Sequence, residues 1–189
     1  MFNSPKLILT AALLATVPAC SSELSKEEQE ILDARIADEK KPTSLTAVVQ
    51  ADPDLTTAAT MVGLSGIAAE LKDDGPFTAF TANNDAFNKM DAEKLKGLMS
   101  ADNKAELIKS AKYGLAKGNM TSADIAKAIA DGGGTAEITS LEGTVIKASM
   151  DGDKIILEDG AGNKATVIKA DVPSSNGTLH IIDTVLMPG

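Results

Sequence analysis

Four acidic or amide residues followed by glycine, Glu142-Gly143, Asp151-Gly152, Asp159-Gly160 and Asn176-Gly177, punctuate the C-terminal part of the chain. Pairs of this kind adopt the backbone angles that tight hairpin turns demand. Between and around them lie short apolar stretches at Ile138, Val145 to Met150, Ile155 to Leu157, Thr166 to Ile168 and Leu179 to Leu186. Stretches so short, bounded so closely by turns, predict strands and leave no room for helices. The last of them, Leu179-His180-Ile181-Ile182-Asp183-Thr184-Val185-Leu186, is apolar on both parities. That pattern belongs to a strand covered on both faces, at a sheet centre.

The preceding part reads differently. Leu45, Val48 and Val49 share a helical face, and Asp52-Pro53 offers a cap and a proline at a first helical position before Leu55, Ala58, Ala59 and Val62. Gly63 is expected to stop that helix, and Ile67 to Leu71 to add a brief further turn. Gly75-Pro76 then breaks the pattern and releases an extended run, Phe77-Thr78-Ala79-Phe80-Thr81. Further helices are expected over Asn84 to Met90, over Ala92 to Met99 led by Asp91, and over Asn103 to Tyr113 led by Asp102 and ended by Gly114. Thr121-Ser122-Ala123-Asp124 has capping-box spacing ahead of Ile125 and Ile129, and the glycines at 132–134 close the helical half. The fold class that follows is α+β, with a layer of N-terminal helices and a mainly antiparallel sheet. Phe77, Phe80 and Phe87 concentrate the largest apolar surfaces in one strand and the helix behind it, and are expected in the core.

Residues 1–19 read as a leader: Lys6 precedes an apolar run, LILTAALLATV, too short to span a bilayer. Cys20 follows directly, where lipid attachment needs a thiol, so it is the expected lipidation site and membrane anchor. Residues 20–41 form an expected spacer, helical from the Ser25-x-x-Glu28 capping box to about Glu39 and ended by Pro42. The domain proper is expected over 42–189.

Composition removes several function classes. The chain has 189 residues, 43% of them hydrophobic, which is ordinary globular usage rather than that of a disordered or multi-span protein. Its formal net charge of −9 would repel phosphate backbones, so nucleic acid is not an expected partner. One cysteine and one histidine exclude an internal disulfide, multi-thiolate metal centres and any site needing two imidazoles. Asp151-x-Asp153 and Asp159-Gly160-x-Gly162-Asn163 lack the ligand alternation of a calcium loop and are read as turns; no metal or cofactor is expected.

The stretch Gly75-Pro76-Phe77-Thr78-Ala79-Phe80-Thr81-Ala82-Asn83-Asn84-Asp85-Ala86-Phe87 resembles the first signature of fasciclin domains, and Asn176-Gly177-Thr178-Leu179-His180-Ile181-Ile182-Asp183-Thr184-Val185-Leu186-Met187-Pro188 resembles the second. The signature positions are Phe77, Thr78, Phe80, Asn84, Phe87, Asn176, Gly177, His180, Ile182, Asp183, Leu186 and Pro188. The resemblance implies a wedge of β-strands with a helical layer. It also implies adhesion or contact with an envelope or extracellular protein or polysaccharide, without catalysis. Some family members contact partners through a Tyr-His pair and an Asp-Ile pair; here these regions are Tyr113-Gly114 and Asp171-Val172, so Tyr113, Asp171 and Val172 are the candidate contacts. Asp171 is otherwise read as a solvated loop carboxylate.

A catalytic reading would pair His180 and Asp183 with Ser174 or Ser175. Residues three apart on a strand point to opposite faces, so His180 is expected instead to hydrogen-bond inside the core. The resulting expectation is a lipid-anchored, non-enzymatic contact module of a bacterial cell envelope. The alternative is a periplasmic hydrolase or small-ligand-binding lipoprotein, which would need a deep pocket with converging polar groups.

Overall fold

The computed structural model describes residues 43–71 and 75–188. The expected leader, Cys20 and the expected spacer helix lie outside the described residues. Six α-helices are described: α1 (Leu45–Ala51), α2 (Thr56–Ser65), α3 (Asn84–Asn88), α4 (Ala92–Leu98), α5 (Lys104–Tyr113) and α6 (Ser122–Asp131). The strands are β1 (Phe77–Ala82), β2 (Leu115–Lys117), β3 (Thr135–Thr139), β4 (Val145–Asp151), β5 (Lys154–Glu158), β6 (Lys164–Ser174) and β7 (Gly177–Ile182).

All seven strands form one sheet in the order β2-β1-β7-β6-β5-β4-β3. The β1–β7 pair is parallel and every other pair is antiparallel. The two ends of this order also meet, because Ala116 in the edge strand β2 bridges Ser140 just past β3, and Leu141 donates to the Leu115 carbonyl at 2.7 Å. The sheet therefore curls until its edges touch, which removes much of the free edge that an open sheet would expose. Phe77, Leu179, Ile182, Ile146, Leu157, Ile125 and Tyr113 are among its most deeply buried side chains.

Local chemistry explains most helix starts. Asp91 accepts from the amides of Glu93 and Lys94 at 2.9 and 3.1 Å, and Thr121 and Asp124 form a reciprocal capping box at α6. Two expected boundaries are corrected. Gly63 does not stop α2; the helix runs through it to Gly66, whose φ of 73° supplies the left-handed turn that a helix end needs. Asp102 does not cap α5; it sits within a short 3-10 turn, Ala101–Asn103, and α5 begins at Lys104.

The last strand is also shorter than expected. It ends at Ile182 because the Asp183 carboxylate, not the next backbone carbonyl, takes up the amide of Thr166 at 2.8 Å. Leu186 is buried beyond the strand. Conversely β6 spans 11 residues rather than the core of three, with register shifts around Lys169 that leave extra residues bulged.

Candidate functional site

The parallel pairing of β1 and β7 sets Thr78 beside Thr178 and Phe80 beside His180. Thr78, Thr178 and His180 are all buried, and all three reach the loop that leads into α6. The Thr78 hydroxyl donates to Gly118 O at 2.8 Å and accepts from Met120 N at 2.9 Å. Thr178 donates to Asn119 Oδ1 at 2.5 Å, and His180 Nε2 lies 2.9 Å from Met120 O. His180 Nδ1 faces the backbone N–H of Asp171 at 3.4 Å and so accepts, which places the ring proton on Nε2. Phe80 stacks on the imidazole with centroids 5.4 Å apart.

Asp171 belongs to β6, not to a loop as expected, and adopts a positive φ of 58° at the bulge. Its carboxylate turns to the start of α6, accepting from Ser122 N at 2.7 Å and, in a short bond, from Ser122 Oγ. The Ser122 hydroxyl, together with its amide, holds the Asp171 carboxyl below the usual range against the opposing effect of burial. A carboxylate at a helix N-terminus is also favoured by the helix dipole.

These positions change the reading of the three candidate contacts. Tyr113 is fully buried and offers no surface to a partner; its hydroxyl accepts from Gly160 N at 3.1 Å, and burial pushes its pKa up. Val172 is half-buried against the core. Asp171 is exposed, but its carboxylate is engaged within the chain.

The structure also separates the residues of a catalytic triad. Asp183 Oδ1 binds Thr166 N and the Thr184 hydroxyl. Burial would raise the Asp183 pKa, but the Thr166 amide, the Thr184 hydroxyl and the Lys89 ammonium outweigh it and lower it. Ser174 donates to Gly177 O at 2.7 Å. The serine that does come near is Ser122, which sequence reasoning placed only in a capping motif. Its proton points to the Asp171 carboxylate, while both imidazole nitrogens are spent on backbone groups, so His180 does not stand as a base to Ser122 in a Ser-His-Asp arrangement. Among the described residues no group of three metal-ligating side chains comes together. Asp159 is saturated by N–H donors from Ala161, Asn163 and Met187, which is the work of a turn.

The remaining signature residues are joints. Asn84 accepts from Thr57 N at 3.0 Å and donates to Pro53 O at 3.0 Å, tying α3 to the start of α2. Asn176 Oδ1 accepts from Leu45 N, its Nδ2 donates to Leu71 O at 2.8 Å, and its carbonyl accepts from Phe77 N. Gly177 leaves no space for a side chain, since a Cβ there would sit 1.8 Å from Phe77 O. Phe77, Phe80, Phe87, Ile182 and Leu186 are buried, and Pro188 is half-buried. Where the two signatures begin, Gly75, Pro76, Asn119 and Ser174–Gly177 line an open polar depression of about 450 Å³.

The fasciclin domain model matches residues 53–188. The chain belongs to the fasciclin family. Protein sll1483 of Synechocystis is 29% identical over 180 residues, covering 95% of this chain and 92% of that protein. Human periostin is 32% identical over 146 residues, covering 77% of this chain but only 16% of periostin's length. Among solved structures, a FAS1 domain pair from the insect cell adhesion molecule fasciclin I superposes with a TM-score of 0.55 at 20% identity, covering 69% of this chain and 44% of that one. At that identity the likeness shows the shared fold. The fasciclin fold here is thus a curled α+β sheet whose two signatures meet as the parallel β1–β7 pair.

Proposed function

We propose that this fasciclin domain is a non-enzymatic contact module of the cell envelope, tethered by a lipid on Cys20 and engaging a protein or polysaccharide. The observation that carries the reading is the use of the polar signature side chains. His180, Asp183, Asn84 and Asn176 each satisfy backbone groups of other elements, so the chemistry goes into holding a rigid surface. The structural relative from an insect cell adhesion molecule points the same way. The polar depression at Gly75, Pro76, Asn119 and Ser174–Gly177 is the proposed contact surface, since loops set on a rigid sheet are where binding groups collect.

Two experiments test it. Cells lacking the protein should attach and aggregate less than the parent, and Ser175→Arg should reproduce that loss without changing the melting temperature. Unaltered attachment in both strains would remove the adhesion reading. Separately, Cys20→Ala should abolish incorporation of labelled palmitate, and continued labelling would remove the anchor.

A further inference from the structure

An apolar cavity of about 100 Å³ lies among α1, α2, α5 and the strands β1 and β7. Leu45, Val49, Met61, Phe80, Phe87 and Leu186 form its inner wall, none more than 7% exposed, while half-buried residues line its mouth, so it is an apolar pocket that opens to the surface on one side. Ala58, Ala79 and Ala111 stand in its wall where larger side chains would fill it. Among the described residues no charged side chain lines it. Its half-buried members include Thr46, Thr81 and Ser110, so hydroxyl-bearing residues are among those of its lining that solvent reaches.

An apolar wall facing empty space forfeits dispersion contacts, and a dry cavity of ~150 Å³ takes up benzene. This one is smaller, so it favours a slim chain over a ring. A sugar is disfavoured because its hydroxyls would be buried without partners, and a charged head because nothing in the lining answers its charge. We propose that the cavity receives the alkyl tail of a neutral lipid, whose hydroxyl or carbonyl group meets the hydroxyls at the rim. The site goes beyond the contact reading and shares no lining residue with the polar depression, so either can fail alone.

The probes are 1-alkanols from butanol to decanol, titrated into the purified full chain and followed by methyl NMR. The methyl groups of Val49, Met61, Val62 and Leu186 should shift saturably. Affinity should rise about fourfold per methylene and level off once the tail outgrows the void. Ala111→Phe, which fills the space, should weaken 1-octanol binding at least about tenfold, the flattening expected when several buried methylenes are displaced. Ala111→Met gives the same reading if the phenylalanine variant does not fold. Shifts that never saturate, shifts equally large at surface Leu64 and Ile168, or unchanged octanol affinity in a folded, filled variant would overturn the proposal.

Discussion

Asn176 Oδ1 accepts a 2.8 Å hydrogen bond from the backbone N–H of Leu45, joining the final hairpin turn to the first described helix. The same side chain donates to Leu71 O, so one residue closes the ends of two helical segments against the strand that follows. Asn176→Ala should cost about 2–3 kcal/mol, the sum of a lost helix cap and an orphaned half-buried carbonyl. For a chain of this size that lowers the melting temperature by about 5–10 °C. Asn176→Asp, which keeps the acceptor but loses the donor to Leu71, should fall between. Calorimetric melting of the three proteins decides it, and an alanine variant as stable as the parent would deny the joint its role.

Two glycines make opposite predictions. Gly63 lies inside α2 with no neighbouring atom within 4 Å of the point where a Cβ would stand, so Gly63→Ala should stabilise by about 0.5–1 kcal/mol. Gly177 sits at φ 153° with Phe77 O only 1.8 Å from where its Cβ would be. Gly177→Ala must push β7 away from β1 and should cost about 4 kcal/mol or more. Denaturant midpoints of the two variants should move in opposite directions.

The parts of the fold that declare themselves in the sequence are those governed by neighbours in the chain. Asp91 and Thr121 are legible as caps because the groups they bind lie two or three residues on. The hairpin turns and the double-sided burial of Leu179 to Ile182 are legible for the same reason. β2 is not: three residues carry no period, and its partner Ala79 lies on a distant strand. The end of β7 is misread because Leu186 is buried without being in a strand, and burial alone does not distinguish the two. At the site, the engagement of Asp171 with Ser122 depends on a bulge in β6, and the burial of Tyr113 depends on the β5–β6 turn folding over it. Neither relation has a local pattern to announce it.

His180 tests whether the buried polar column is scaffold. His180→Ala removes the ring that stacks on Phe80 and leaves Met120 O and Asp171 N without their partner, so it should cost about 3 kcal/mol. Attachment measured well below the new melting temperature should be retained. An unchanged melting temperature would contradict the scaffold role, and attachment lost while the fold persists would assign the imidazole to the function instead.

Acid should reveal the two engaged carboxylates. The Ser122 hydroxyl lowers the Asp171 pKa, and the Thr166 amide, with Thr184 and Lys89, overcomes burial to lower that of Asp183. An unfolded aspartate titrates near ~3.9, so folding favours the ionised form of both groups. Their stabilisation is complete above about pH 4 to 5 and is lost as the pH falls through the lower folded values, because the unfolded chain then binds more protons. The melting temperature should therefore hold level from pH 7 to about 5 and decline below 4. Asp171→Asn and Asp183→Asn keep a neutral acceptor for the Ser122 and Thr166 amides, so each should start lower at pH 7 and decline less steeply in acid. Profiles parallel to the parent's in both variants would show that neither carboxylate is linked to folding.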